Sequence, residues 1–320
     1  MRRALAALVL GAVFVGDAQA QPYPTRTITI VVPAAPGGVS DVMARLLAQR
    51  LGEAWGQQVI VENRGGANHA IGAAMVGKAV PDGHTMMVGA ETIFVINPAL
   101  HGSKLPYDVK DFAPVSGLVR INQGLLAHPS LPANNVTELI ALAKKKPGEI
   151  TYGTSGIGAA GHVNVALLES MAGIKLAPVH YRGATPALND VIAGHIMLTS
   201  VSLSASVPPH RAGKAKLLAV GSAQRRPEIP EVPTTAESVP GYEAVTWFGL
   251  FTTAGTPREV ILKINAQVQA LFNDPAFRER VIVPNMFESM ATSPEQFAAF
   301  IKADSEKWGK VIRDANLTVD

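Results

Sequence analysis

The chain has 320 residues, of which 48% are hydrophobic and 17% are charged, a composition typical of a globular protein long enough for two domains. Its net charge is +3, and basic residues cluster only at 144–146 and 225–226, which argues against nucleic-acid binding. Cysteine is absent, which excludes disulfides, thiolate metal sites, cysteine nucleophiles and a cysteine-linked lipid.

Residues 1–20 have the pattern of a secretory signal peptide. Arg2 and Arg3 precede an uncharged apolar run, and Ala18 and Ala20 supply the small residues of a cleavage site. A membrane anchor is the alternative, but a spanning helix needs about 20 apolar residues and this run is shorter. We therefore expect cleavage after Ala20 and a mature protein outside the cytoplasm.

Short apolar strands alternate with amphipathic helices through the first third of the chain. A loop at 33–38, rich in Pro and Gly, separates the first strand from a helix that Ser40 or Asp41 caps. Strand, Gly-rich loop, helix and strand in this order predict a parallel sheet covered by helices. The predicted strands lie at 27–32, 58–62 and 85–89, and the predicted helices end near residues 55 and 80.

The same order of elements begins again in the middle of the chain. Asn135, with Glu138 three residues later, opens a helix that ends at Pro147. The stretch 226–241 has many Pro and Glu residues and no periodicity, which predicts a surface loop. The other predicted elements are strands at 150–153, 177–181, 196–199 and 217–220 and helices at 160–172 and 186–193.

The last part of the chain contributes one strand, at 246–251, and two helices. Thr256 and Ser293 each begin a capping-box sequence, and the helices that follow end near residues 273 and 315. Because these helices bring no sheet of their own, we expect them to pack on the first lobe, with a cleft between two lobes. The predicted lobes are residues 21–122 plus 247–320 and residues 123–246.

Three stretches approach enzyme motifs, and each lacks a necessary residue. The stretch 153–157 is close to a hydrolase nucleophile elbow but lacks its last Gly. The stretch 156–161 matches G-x-G-x-x-G, yet no acid stands at 180–182 to hold a ribose. The stretch 72–78 resembles a P-loop, with Ala79 in place of the metal-binding hydroxyl. The eight histidines are scattered, so we expect no catalytic residue, no cofactor and no metal site.

Gly-rich loops at 36–38, 65–68 and 154–158 join strands to helix N-termini. Ligands of open α/β sheets bind at the carboxyl ends of strands, and helix N-termini favour an anion such as a carboxylate. His69 and His162 each begin a helix after such a loop. Tight turns alone would explain one loop of this kind, whereas three favour ligand binding.

Short motifs follow one another in a fixed order along residues 22–320. They include Val-Pro-Ala-Ala-Pro-Gly-Gly-Val-Ser-Asp at 32–41, Val-Glu-Asn at 61–63, Pro-Asp-Gly-His-Thr at 81–85 and His-Tyr-Arg-Gly at 180–183. Single motifs are weak, but the ordered series is specific. The series resembles the solute-binding proteins of tripartite tricarboxylate transporters, also called Bug receptors.

The resemblance implies an α/β fold of the two-lobed periplasmic binding protein type (type II). Each lobe would be a mixed, mostly parallel sheet flanked by helices, with an interlobe cleft. It also implies a monomeric periplasmic receptor that binds a small organic anion without a cofactor and delivers it to the permease subunits of a membrane transporter. The residues expected to line the cleft are Ala34, Ala35, Pro36, Gly37, Gly38, Asp41, Asn68, His69, Glu91, Thr92, Thr154, Ser155, Gly156, Gly158, His162, Tyr181, Arg182, Ser200 and Ser202.

Departures from the family pattern bear on the ligand. Ala34 stands where the family often has an aromatic residue, which predicts a larger cleft. Asn68 and His69 add hydrogen-bond donors that could reach an anion. Met197 and Val201 stand where the family commonly has acidic residues. This side of the cleft therefore has no carboxylate to accept an ammonium group. We therefore expect a mono- or dicarboxylate, aromatic acids included, in preference to an amino acid.

Two other functions stay open on the sequence. One is an exported nucleotide-dependent enzyme that uses the loop at 156–161, against which the missing ribose acid argues. The other is a sensor that presents its ligand to a membrane kinase. A sensor would use the same fold and cleft, so the sequence does not separate it from an uptake receptor.

Overall fold

The computed structural model describes residues 23–181 and 183–314, in which ten strands form one continuous mixed sheet flanked by helices. The strands are β1 (Ile28–Val32), β2 (Val59–Asn63), β3 (Thr85–Ala90), β4 (Phe112–Ala127), β5 (Thr151–Thr154), β6 (Ala177–His180), β7 (Leu198–Ser202), β8 (Lys216–Val220), β9 (Val245–Thr253) and β10 (Phe287–Ser289). The helices are α1 (Val39–Trp55), α2 (Ala70–Gly77), α3 (Asn97–His101), α4 (Val136–Lys145), α5 (Ala160–Ala172), α6 (Ala184–Ala193), α7 (Leu203–Arg211), α8 (Arg258–Asn273), α9 (Pro275–Phe277) and α10 (Pro294–Asp314).

The strand order across the sheet is β2-β1-β3-β9-β4-β7-β5-β6, and β8 and β10 pair with β4 beside this path. β1 pairs parallel with β2 and β3, and β5 pairs parallel with β6 and β7. The other five pairings between the described strands are antiparallel, and all involve β4 or β9. The fold is therefore the mixed α/β type that was expected, with its parallel strands confined to the two outer parts of the sheet.

The sixteen-residue strand β4 passes from one half of the sheet to the other. Its residues up to Asn122 pair with β9, and its residues from Gln123 onward pair with β7. One half contains β1, β2, β3 and β10, and the other contains β5, β6, β7 and β8. Helix α8 from the end of the chain packs on α1 and on β4, so both ends of the described chain contribute to the first half.

The core of the first half follows the apolar spacing of the sequence. Ile28, Ile30 and Val32 alternate along β1 and are fully buried. They share one core with Met43 and Leu47, which lie four residues apart on α1. A spacing of two in the strand and four in the helix directs both sets of side chains to the same interface.

The stretch 226–241 differs from its prediction as a surface loop. Ile229 and Val232 are buried in a core with Leu203 and Val207 of α7. The segment is irregular, and its buried side chains therefore repeat with no helical or strand period. The absence of periodicity indicated the irregular backbone correctly but gave no indication of the burial.

The two predicted capping boxes differ in outcome. The N–H of Gln296 donates to Ser293 Oγ at 3.2 Å, and the N–H of Ser293 donates to Gln296 Oε1 at 2.9 Å, which confirms the box before α10. Thr256 Oγ1 instead donates to the carbonyl of Thr253 at 2.8 Å. Helix α8 begins after Pro257 without a side-chain cap, so the predicted box at Thr256 is wrong.

Within residues 23–181 and 183–314, no helix has both the length and the apolar character needed to cross a membrane. In the same part of the chain, no group of three His, Asp or Glu side chains is arranged to hold a metal ion. Three sequence predictions lie outside the described residues: the signal peptide at 1–20, the site residue Arg182 and the end of the last helix near residue 315.

Candidate functional site

Two loops of the first half lie side by side at the carboxyl ends of β1 and β2. A methyl group placed on Gly65 would lie 3.4 Å from the carbonyl carbon of Ala34, so the two loops are in contact. A cavity of about 560 Å³ opens between them, a volume typical of small-ligand sites. The cavity is lined by Pro33, Ala34, Ala35, Pro36, Asn63, Gly65, Gly66, Asn68 and His69.

Asp41 holds the first loop in shape. Its Oδ2 accepts the N–H of Gly37 at 3.0 Å, and Arg45 donates to both carboxylate oxygens at 3.0 Å. Asn63 Nδ2 donates to Asp41 Oδ1 at 3.0 Å and to the carbonyl of Ala34 at 3.2 Å. The hydrogen bond from Arg45 holds the pKa of Asp41 below its usual value. Asp41 was expected to contact the ligand, and in the structure both of its carboxylate oxygens accept hydrogen bonds that hold the loop.

The second loop has a strained backbone. Gly66, Ala67, Asn68 and His69 have φ angles of 124°, 45°, 47° and 75°. The N–H of Ala70 donates to the carbonyl of Ala67 at 3.0 Å and closes this turn. Residues with side chains adopt positive φ at a cost, and such strain persists where the surroundings hold it, often at binding sites.

Asn97 holds Asn68 in this conformation. Asn97 is fully buried, and its side-chain amide pairs with both the carbonyl of Asn68, at 2.8 Å, and the side-chain Nδ2 of Asn68, at 2.9 Å. Tyr107 OH lies 3.3 Å from Asn97 Nδ2 and donates to the carbonyl of Ile93 at 2.8 Å. The strained loop is therefore anchored to a buried polar network in α3 and the π-helical turn before it.

His69 joins the second loop to the first. Its Nδ1 lies 2.6 Å from the carbonyl of Pro33, and burial lowers the pKa of the ring. A methyl group on Gly72 would lie 2.9 Å from Pro33 Cα, so α2 packs directly on the first loop. Asn68 and His69 were expected to offer donors to the ligand. The structure uses the Asn68 amide group and the His69 Nδ1 inside the protein.

The third loop follows β5 in the other half, and histidines surround it. Thr154 Oγ1 lies 2.8 Å from His180 Nδ1 and accepts the N–H of Gly156 at 3.2 Å. The N–H of Gly158 donates at 3.0 Å to Nδ1 of His162, in the first turn of α5. Burial, and next the neighbouring His180, lowers the pKa of His162 to about 4. Thr154 and His162 thus order the loop backbone.

The third loop faces the second across the cleft. A methyl group on Gly158 would lie 2.9 Å from Leu100 Cδ1 and 3.8 Å from Asn68 Nδ2. The loops of the two halves are therefore within van der Waals reach of each other. Ser155, in the same loop, is half-buried, and its hydroxyl has no hydrogen-bond partner in the described part of the chain.

Helix α5 begins directly against β7, where two predicted serines lie. A methyl group on Gly161 would lie only 2.6 Å from the carbonyl oxygen of Ser200. Ser200 is buried, and Ser202 Oγ lies 3.3 Å from Ser204 Oγ. Ser200 therefore lies beside the N-terminus of α5, and Ser202 is the last residue of β7.

Tyr181, Glu91 and Thr92 were expected to line the cleft, and the structure shows them hydrogen-bonded or buried within the protein. Tyr181 OH donates to Asp190 Oδ2 at 2.6 Å, on α6. Glu91 is 4% exposed, and its Oε2 accepts the N–H of Trp247 at 2.6 Å. Burial raises the pKa of Glu91 to about 8. Thr92 is buried as well, so these three residues support the architecture around the cleft.

The helices that begin at the three loops have no side-chain caps. Gly38 is the N-cap residue of α1, His69 of α2 and Ala159 of α5, and none caps its helix through a side chain. By contrast, Asn135 Oδ1 accepts the first-turn N–H of Glu138 in α4, at 2.9 Å. Uncapped N–H groups and the helix dipole favour an anion at each of the three loops.

Residues 43–317 match the family described as the tripartite tricarboxylate transporter family receptor. The chain belongs to this family. The receptor is 34% identical to the UPF0065 protein of the tcbD–tcbE intergenic region of Pseudomonas sp. strain P51, over 100% of this chain and 96% of that one. It is 31% identical to protein BugT of Bordetella pertussis, over 92% of this chain and 91% of that one. The family is one of periplasmic solute-binding receptors.

Solved structures share the receptor's fold. An R. palustris protein with adipate has a TM-score of 0.81 and 36% identity, covering 92% of this chain and 99% of that one. MatC from Rhodopseudomonas palustris with bound malate has a TM-score of 0.78 and 29% identity, covering 91% and 100%. Periplasmic binding protein BugD has a TM-score of 0.77 and 32% identity, covering 92% and 99%. The receptor therefore has the periplasmic binding protein fold.

Sequence reasoning missed four residues that organise the receptor's loops: Arg45, Asn63, Asn97 and Tyr107. Asn97 and Asn68 are 29 positions apart, and Asn63 and Asp41 are 22 apart, so no local pattern links them. The one available signal for Asn63 was its place in the motif at 61–63. Asn97 follows an apolar run at 93–96, and no local pattern singles it out.

Proposed function

We propose that this receptor captures a small organic carboxylate between its two halves and delivers it to the permease subunits of a tripartite tricarboxylate-type transporter. It acts in the periplasm as a monomer, after removal of residues 1–20. The observation that carries the proposal is the convergence of three uncapped helix N-termini on loops that face each other.

The relatives support a carboxylate as the ligand. One structural neighbour was solved with adipate and another with malate, and both acids carry two carboxylate groups. A dicarboxylate offers one anionic group to each half, which matches the distribution of the three loops, two in the first half and one in the second.

We assign the two halves to lobes at residues 21–122 plus 247–320 and at 123–246. The exchange of β4 partners between Asn122 and Gln123 supports the first boundary. β9 runs beside β4 with Asn122 opposite Val245, which supports the second. Two neighbouring antiparallel strands form a connection that bends more easily than the packed lobes, so closure would occur about this point.

We assign one carboxylate of the ligand to the backbone N–H groups that follow Gly38 at the start of α1. We assign the other to the Ser155 hydroxyl and to the N–H groups at the start of α5. Gly156 and Gly158, with φ of 134° and 72°, let the backbone approach the ligand closely. Asp41 and Asn97 hold the loops in the shape that presents these donors.

Calorimetry on the mature protein tests the proposal. We expect saturable binding of at least one acid from a panel of succinate, glutarate, adipate, malate, benzoate and aspartate. Ligand at 100 times its Kd should stabilise the fold by about 2.7 kcal/mol in thermal unfolding. Ser155→Ala should weaken binding about tenfold, because a buried carboxylate oxygen loses a donor worth about 1.5 kcal/mol.

Ser170→Ala is the matched control, since Ser170 is exposed in the last turns of α5. It should leave the affinity unchanged. Binding of none of these acids, or equal affinities for Ser155→Ala and the unmodified protein, would contradict the proposal. A parallel titration with NADH should show no binding, and saturable NADH binding would favour the rival enzyme function.

A further inference from the structure

We infer that the carboxylate this receptor binds carries a hydroxyl group, which donates its one hydrogen bond to the acceptors of Asn68 and His69 in the first lobe. The inference rests on the proposed function and narrows it from carboxylates to hydroxy carboxylates. It follows from two backbone carbonyls, those of Asn68 and Pro33. These carbonyls determine which side-chain atoms of Asn68 and His69 remain free to form hydrogen bonds with a ligand.

The hydrogen bonds with Asn97 leave Asn68 with an acceptor. The backbone carbonyl of Asn68 can only accept, so the Asn97 atom 2.8 Å from it is the donor Nδ2. The other arm of that amide is then Oδ1, and the Asn68 atom 2.9 Å from it must be Nδ2. Asn68 Oδ1 therefore points away from Asn97, on an exposed residue, and no described residue donates to it.

The carbonyl of Pro33 determines the state of His69 in the same way. This carbonyl can only accept, so His69 Nδ1, at 2.6 Å, carries the proton. Burial lowers the pKa of His69, which keeps the ring neutral at pH 7. Its Nε2 is then unprotonated and accepts, and it receives no hydrogen bond from the described part of the chain.

The two residues that carry these acceptors, Asn68 and His69, line the cavity of the first lobe. A carboxylate oxygen also only accepts, so it gains nothing from Asn68 Oδ1 or His69 Nε2 and is better placed at the helix N-termini. A ligand that buries these two atoms must therefore bring an O–H or N–H group to them. A ligand without one leaves them unpaired, which costs about tenfold in affinity or more.

A hydroxyl fits these acceptors better than an ammonium group. An ammonium ion buried without an anionic partner is costly, and the described residues that line the cavity include no carboxylate. Asp41 is engaged by Arg45 and Gly37, and Glu91 is buried against Trp247. A hydroxyl carries no charge and donates one hydrogen bond, which two neutral acceptors can share.

Nitrogen-15 NMR of the histidine side chains tests the first step directly. In the ligand-free protein at pH 7, long-range ¹H–¹⁵N correlations should show His69 neutral with the proton on Nδ1 and a free Nε2. The His69→Asn variant assigns the signals. A proton on Nε2 would overturn the inference, whatever the protein binds.

Calorimetry with matched acids tests the second step. The pairs are succinate and malate, glutarate and 2-hydroxyglutarate, and adipate and 2-hydroxyadipate, and aspartate serves as the amino analogue of malate. We expect at least one hydroxy acid to bind at least about tenfold tighter than its parent. Hydroxy acids that bind no tighter than their parents would overturn the inference and leave the proposed function standing.

His69→Asn connects the selectivity to the residue. The Asn amide can still donate to the carbonyl of Pro33 and tolerates positive φ, but the Nε2 acceptor is lost. The preference for the hydroxy acid should fall at least about threefold, whereas His195→Asn, whose side chain is 70% exposed, should keep it. An unchanged preference in His69→Asn, or tighter binding of aspartate than malate, would overturn the assignment. Binding of none of these acids would contradict the proposed function itself.

Discussion

The protonation state of one residue, His162, determines whether the third loop keeps a hydrogen bond that orders it. Its Nδ1 accepts the N–H of Gly158 at 3.0 Å, so the neutral ring must carry its proton on Nε2. Burial and the neighbouring His180 lower its pKa to about 4. Protonation of Nδ1 would place two hydrogen-bond donors, His162 Nδ1 and the N–H of Gly158, opposite each other. The loop that faces Asn68 would then lose this hydrogen bond.

The stability that His162 contributes should therefore be lost as the pH is lowered from about 6.5 to about 4. In this interval the unfolded chain binds one more proton at His162 than the folded chain, so the free energy of unfolding rises with pH. Because the ring is partly exposed, we expect a loss of about 1–2 kcal/mol between pH 7 and pH 4, less than the full shift implies.

Urea denaturation at pH 7, 5.5 and 4 measures this loss, with His162→Gln as the control. The Gln side chain can accept the N–H of Gly158 but does not titrate. Between pH 7 and pH 4, the free energy of unfolding of the variant should therefore fall by about 1–2 kcal/mol less than that of the unmodified protein. The same decrease in both proteins would show that His162 is not the group responsible.

Close contacts between elements depend on glycines that leave no room for a side chain. A methyl group on Gly161 would lie 2.6 Å from the carbonyl of Ser200, and one on Gly72 would lie 2.7 Å from the carbonyl of Arg64. These contacts bring the first turn of α5 directly against the sheet and that of α2 directly against the loop that follows β2. Backbone atoms cannot move aside as a flexible side chain would, so the two helix N-termini are held at the loops.

Gly161→Ala should displace α5 from β7 and destabilise the protein by about 1–3 kcal/mol. The matched control is Gly52→Ala in α1, where the new methyl would meet its nearest atom at an ordinary 3.5 Å. That change should stabilise the protein by about 0.5–1 kcal/mol through helix propensity. Chemical denaturation of both variants measures the two effects, and a neutral Gly161→Ala would show that α5 can shift without cost.

Elements whose apolar residues follow a single period were predictable from the sequence. Strand β4, which passes from one half of the sheet to the other, was not. β1 and α1 direct one face to one core, so their apolar spacing predicted them. β4 serves two cores, and Arg120, Asn122 and Gln123 interrupt its apolar pattern where it passes between the halves. The three site loops followed from their glycines, but the free atom of Asn68 depends on Asn97, far away in the sequence.

At the scale of the whole molecule, ion pairs connect the two halves beside β4 and β9, where the chain passes between the halves. Glu288 on β10 contacts Arg120 on β4 and Arg226 in the other half. Glu243, next to the start of β9, contacts Arg120 and lies 3.7 Å from Lys307 on α10. These half-buried charges join five segments at the proposed hinge. Any change in lobe orientation must therefore rearrange them together.

Near the same place, Trp247 lies between the buried carboxyl group of Glu91 and the half-buried carboxyl group of Asp304. Its backbone N–H donates to Glu91 Oε2 at 2.6 Å, and its indole N–H donates to Asp304 Oδ2 at 2.7 Å. Burial is the main cause that raises the pKa of both carboxyl groups, to about 8 for Glu91, and each also lies within the electrostatic influence of other acids. Glu91 is therefore mostly protonated in the folded protein at neutral pH.

The folded protein should bind one more proton at Glu91 than the unfolded chain between about pH 4.5 and pH 8. The stability that this group contributes is complete below pH 4.5 and is lost as the pH rises to about 8. Glu91→Gln keeps an acceptor for the N–H of Trp247 and cannot ionise. Relative to the unmodified protein, the variant should gain about 2–4 kcal/mol between pH 5 and pH 8.5.

Urea denaturation across this pH range measures the difference, and Asp304→Asn separates the contribution of the second carboxyl group on Trp247. Because Glu91 directly follows β3 and Trp247 lies near the start of β9, next to the proposed lobe boundary, ionisation of Glu91 should loosen this boundary as well as the local core. Ligand affinity of the unmodified protein should therefore fall more steeply above pH 8 than that of Glu91→Gln. Parallel pH profiles for the two proteins would show that Glu91 stays neutral, or ionises without consequence for the hinge.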